Sequence, residues 1–134
     1  MKRFVSFIII FAVLFSVCSC YPGDADYYET RFDELDIHGR INEAAYAIEH
    51  NSANALTVFQ LKKAAEDLKF LNTHGNGHIE DINKDFIYSV NMLTVAAEKQ
   101  IAQEEYLSYY EMAKEQYNLA NLELDTYKVS VPED

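Results

Sequence analysis

The stretch YLSYYEMAKEQYNLANLELDTY, residues 106–127, places Tyr106, Tyr110, Ala113, Tyr117, Ala120, Leu124 and Tyr127 at intervals that alternate between four and three residues. That spacing brings each side chain back to one side of an α-helix and has the wrong period for a strand. Three heptads are the shortest run that specifies a coiled-coil-like seam, so the stretch predicts a helix whose Tyr/Ala stripe packs against another surface. Tyr106, Tyr110, Tyr117, Leu124 and Tyr127 are therefore the candidate interaction residues, facing either the chain's own first helix or a partner. A Tyr ring is apolar but its hydroxyl needs a partner or water, which suits a thin, half-wet helical contact.

Working outward, the chain upstream of this stretch has no helix breaker back to His78, and Pro132 is the first one after it. A single long C-terminal helix from about His78 or Glu80 is expected. It is preceded by Asn72-Thr73-His74-Gly75-Asn76-Gly77, the clearest stop signal in the sequence. Before that turn, Val58, Leu61, Ala65 and Leu68 mark the apolar face of a second helix, and Ile37, Ile41, Ala44 and Ile48 mark that of a first helix beginning near Asp24 or Asp26. Asn51-Ser52-Ala53-Asn54 separates the two, with side chains suited to capping a new helix. Gly39 is a mild weakness inside the first helix, worth about 1 kcal/mol relative to Ala.

The predicted fold class is all-α, with a helical domain over residues 26–128 and a short tail over 129–134. Two architectures fit. The segments on either side of Asn76 are nearly equal in length, so the chain could close as one elongated antiparallel hairpin roughly 70 Å long, setting Tyr127 near Tyr27, Tyr117 near Leu35 and Tyr110 near Ile41. A bend at 51–54 would instead give a compact three-helix bundle, in which the long C-terminal helix overhangs or breaks.

The first twenty residues have a different character. Lys2 and Arg3 precede an apolar run from Phe4 to Phe15, followed by the small residues Ser16 and Ser19. This is the layout of an export signal, and the run is short of the roughly 20 residues that span a bilayer. Val17-Cys18-Ser19-Cys20 resembles the bacterial lipobox, in which an aliphatic, a tolerant and a small residue precede the invariant cysteine; Val17 stands where Leu is commonest. The resemblance covers residues 1–20 only. It implies that residues 1–19 are a lipoprotein signal peptide, that Cys20 is acylated and becomes the first mature residue, and that residues 20–25 form a lipidated tether. It further implies lipid anchoring on the exported side of the cell envelope. Cys18 would be removed with the signal, which leaves Cys20 without a cysteine to pair with.

Loss of Lys2 and Arg3 leaves nine basic against 22 acidic residues, a net charge of −13 with histidines neutral. That balance argues against nucleic acid or anionic lipid as a partner of the domain surface, because phosphate contacts need clustered Lys and Arg. His74 and His78 are the weak candidates for metal ligation, spaced by a Gly-Asn-Gly turn that zinc sites do not favour. No Glu precedes a histidine by three residues, and neither the zinc-protease nor the phosphate-loop pattern occurs. Acidic neighbours such as Glu66-Asp67 and Glu104-Glu105 point to different sides of a helix, as solvated faces do. The expectation is a non-enzymatic module without a cofactor, held to the membrane by its lipid and working through a protein partner or a second copy of itself. A small-ligand or metal-binding lipoprotein, and an exclusion or immunity lipoprotein of a mobile element, are the alternative expectations.

Overall fold

A computed structural model describes residues 23–130. Cys20, the signal segment 1–19 and the tail beyond Ser130 lie outside the described residues. The fold is all-α, and the helices pack as a bundle: α1 Gly23–Glu34, α2 Ile37–Glu49, α3 Ala55–Lys69, α4 Gly77–Ile101 and α5 Leu107–Ser130. Gly23 to Ala25, inside the stretch expected to be tether, are helical, as are Val129 and Ser130, expected to be tail.

Each long helix expected from the sequence is interrupted once. The first breaks at Leu35 and Asp36, where Asp36 takes a left-handed φ of 52°. The long C-terminal helix breaks between Ile101 and Leu107, with Gln103 at φ 61°. There the N–H of Glu104 reaches back to Lys99 O at 2.9 Å and that of Gln103 to Gln100 O at 3.0 Å, which closes the helix end without a glycine. Glu105 then receives the Ser108 N–H at 3.0 Å and the Ser108 hydroxyl at 2.8 Å as α5 starts. These two bonds hold the Glu105 carboxyl below the usual carboxylate range.

The chain therefore makes four passes, with α1 and α2 sharing the first. Tyr28 meets Asn83 and Gln100 meets Ile48, so α1 and α2 run parallel to α4. Asn83 meets Leu68, so α3 runs antiparallel to α4. Tyr127 returns to Asn76, so α5 folds back along α4, with which it makes the most extensive contact in the molecule. The single hairpin centred on Asn76 is not formed; the chain bends at 51–54 into a bundle, and its long C-terminal segment breaks into α4 and α5. The result is an up-down-up-down bundle whose first helix is kinked.

The expected apolar faces are the ones buried. Ile37, Ile41, Ala44 and Ile48 of α2 and Leu61, Ala65 and Leu68 of α3 pack inward, while Val58 is half-buried. Each large aliphatic removed from water in this way contributes about 1.5–3 kcal/mol. α4 supplies Ile79, Ile82, Phe86, Val90, Leu93, Ala96 and Ala97, the spine against which the other helices pack. Polar groups within this core are matched: the fully buried Tyr28 hydroxyl donates to Asn83 Oδ1 at 2.8 Å, and Asn83 Nδ2 donates to Leu68 O at 2.9 Å. Burial pushes the Tyr28 phenol well above its ordinary value.

Candidate functional site

The Tyr/Ala stripe of residues 106–127 is engaged within the chain. Tyr110, Ala113, Ala120 and Leu124 are buried, and Tyr106, Tyr117 and Tyr127 are half-buried against the same core. Tyr110 hydrogen-bonds Glu49, and burial pushes its phenol up. Tyr117 hydrogen-bonds His38 Nδ1 and stands edge-on to the rings of His38 at 5.8 Å and Phe86 at 5.9 Å. The stripe thus faces α2 across one side and α4 across the other. These side chains are engaged within the chain.

His74 and His78 sit at the pole of the bundle where α1 begins, α3 gives way to α4 and α5 ends. They do not converge on one point. His74, left-handed at φ 54°, places Nδ1 2.9 Å from Asp24 Oδ1 and its ring 4.3 Å from that of Tyr27. His78 stacks on Tyr127 at 5.3 Å. Among the described residues, no three His, Cys, Asp or Glu side chains are grouped so as to hold a metal ion.

What these histidines flank is a latch centred on Asn76, which is only 2 % exposed. Its side-chain oxygen caps α4 by accepting from the N–H groups of His78 at 3.1 Å and Ile79 at 3.2 Å. Its amide nitrogen donates to Asp24 Oδ2 at 3.2 Å and to the Tyr127 hydroxyl at 2.8 Å. One side chain therefore joins the first turn of α1, the start of α4 and the last turn of α5. Asp24, which the sequence marks only as a carboxylate suited to a helix N-terminus, is 4 % exposed and held by two partners on the α3–α4 turn. That role spans some fifty positions of chain, and no local pattern announces it.

A second feature missed from sequence is a furrow between α2 and α3 of about 600 Å³, lined by Arg40, Tyr46, Leu56 and Gln60 among others. Tyr46 is 62 % exposed and Leu56 64 %, and Phe59, one turn further along α3, is 62 %. Arg40 closes one side by donating through both terminal nitrogens to Asp67 Oδ2, at 2.7 and 2.8 Å. Its Nε is the one buried side-chain polar atom of the described residues that lacks a hydrogen-bond partner. The signal for this furrow was present in the sequence as apolar residues off the buried face of α3. Comparison with known proteins finds no matching family model, no matching curated protein and no matching solved structure.

Proposed function

We propose that this chain is a lipid-anchored protein of the bacterial cell envelope, carried by acyl chains on Cys20, whose helical bundle serves as a structural or protein-interaction module. The anchor half of this reading is supported by the order of basic, apolar and small residues before Val17-Cys18-Ser19-Cys20. None of the described helices is long and apolar enough to cross a membrane.

The interaction half is carried by one observation: Tyr46 and Leu56 are exposed on the walls of the furrow between α2 and α3, and Phe59 is exposed beside it on α3. Buried aromatic and aliphatic anchors dominate interface energetics, and a helix laid into a groove presents such anchors at three- and four-residue intervals.

Two measurements test the two halves. Fatty-acid labelling of cells should mark the parent chain and leave Cys20→Ala unlabelled; equal label on both rejects the anchor. Affinity capture from the native envelope should recover a protein that is lost with Leu56→Glu, while the melting temperature of that variant stays at the parent value. Undiminished recovery with Leu56→Glu rejects the furrow as the docking surface.

A further inference from the structure

We propose that the pole carrying the Asn76 latch seats directly on the bilayer surface, with Phe70 and Val129 entering the interfacial layer, so that the bundle stands upright on the membrane. This rests on the reading of Cys20 as the lipid anchor. The first ground is reach: Cys20 lies three positions before Gly23, which is already helical, and three residues extend at most about 10 Å. A bundle held so closely cannot turn its other end toward the lipid.

The second ground is rigidity at the point of attachment. Asp24 follows Gly23 directly and is buried between His74 and Asn76, so the first turn of α1 is fixed to the α3–α4 turn and, through Asn76, to Tyr127. A pull that reaches Gly23 is therefore passed to the whole bundle through Asp24 and Asn76.

The third ground is the chemistry of the pole itself. Val129 at 88 % and Phe70 at 82 % are the most exposed large apolar side chains of the described residues, and both lie at this end. The turn from Lys69 to Ile79, KFLNTHGNGHI, contains no acidic residue in a chain that has 22 of them. It offers Lys69, beside the polar rings of His74 and His78, to a surface that would repel carboxylates, and Glu80 and Asp81 follow only once α4 has begun. Aromatic and apolar side chains beside cationic ones are what an interfacial contact uses, and a second contact strengthens an acyl anchor.

The chain has no tryptophan, so single introduced tryptophans report position without interference. The full-length acylated chain is reconstituted in vesicles of phosphatidylethanolamine and phosphatidylglycerol as Phe70→Trp, Val129→Trp or Leu107→Trp, the last at the opposite pole and 58 % exposed. Each of the first two should lose roughly half its emission to lipids brominated near the headgroup, the depth at which interfacial side chains rest, and Leu107→Trp should be unaffected.

Four results would overturn the seating. If the two polar-end tryptophans are as insensitive as the one at 107 while Cys20 carries label and the chain floats with vesicles, the anchor stands and the seat is wrong. If the chain carries no label and does not float, both fail together. Quenching at all three positions means that the bundle lies on its side. In native envelopes, shielding of the tryptophan at 70 from acrylamide without quenching by brominated lipid means that a protein covers this pole.

Discussion

Asn76 shows how much one side chain carries here. Its oxygen satisfies two N–H groups at the start of α4 while its nitrogen serves Asp24 and Tyr127. Losing a helix cap costs about 1 kcal/mol, and removing a partner from a buried polar group costs about 1–3 kcal/mol more. Asn76→Ala should therefore lower unfolding free energy by about 3 kcal/mol in urea titration, beyond what a simple cap explains. Asn76→Asp keeps the cap but sets a second carboxylate against Asp24, and should be at least as damaging at neutral pH. If Asn76→Asp matches the parent, the Asp24 contact contributes nothing to stability. Tyr117 tests the interior stripe in the same way. With its ring against His38 and Phe86, Tyr117→Asp should lower stability by about 3 kcal/mol in a thermal melt and leave sedimentation of the folded species unchanged. A variant that melts like the parent but changes its association would return the stripe to the role of a partner surface.

The helices show what a sequence reveals locally and what it withholds. The faces were legible because burial repeats every three or four positions, and Ile37, Ile41, Ala44 and Ile48 are all inside. The break at Asn51–Asn54 was legible too, since Asn54 caps α3 by accepting from Leu56 and Thr57. The breaks at Asp36 and Gln103 were not. Helix ends are usually read from Gly or Pro, and here every joint between successive helices contains a non-glycine residue at positive φ: Asp36, Asn51, His74 and Gln103. Such residues accept a strained backbone because tertiary packing on both sides fixes the turn, and that packing is not written in neighbouring letters. Gly39 has a second role that its helix propensity does not show. A Cβ there would stand 2.3 Å from Asp36 Oδ1, so the glycine makes room for the carboxyl beside the kink. Strain at Gln103 predicts a gain: Gln103→Gly should raise stability by about 1 kcal/mol, read as a shift of the denaturation midpoint at unchanged slope. An equal or lower midpoint would mean that the left-handed turn there costs nothing that glycine relieves.

For the molecule as a whole, excess negative charge is the dominant background, and where it is concentrated it works against folding. On the α4 and α5 side, Asp85 lies within hydrogen-bonding reach of Glu123 and pushes its carboxyl up, with burial and Asp81 adding to the effect. The folded chain thus holds this proton more tightly than the unfolded one. The associated stabilisation is fully present below the unfolded carboxyl value of about 4.3 and is lost as pH rises through the raised folded value. Glu123→Gln keeps the protonated shape at all pH. It should melt higher than the parent at pH 7, by an amount on the order of 0.5 kcal/mol given solvent screening, and the two should converge near pH 4. A gap that widens toward acid would reverse the sign assigned to this pair. The antiparallel pairing of the first pass with α5, as between Tyr117 and His38, was close to the register inferred from segment lengths. The extra passes between them were hidden, because equal lengths constrain where ends meet and not how often the chain turns.

An even number of passes brings Gly23 and Ser130 to one pole, with the turns at 50–54 and 102–106 at the other. That parity sets a load path. Tension applied at the far turns and resisted at the chain's beginning runs lengthwise through α1, whose exit requires the bonds of Asp24 to His74 and Asn76 and of Tyr28 to Asn83 to yield together. Bonds sheared in parallel resist force better than bonds opened one after another, so pulling along the bundle axis should meet more resistance than pulling across it.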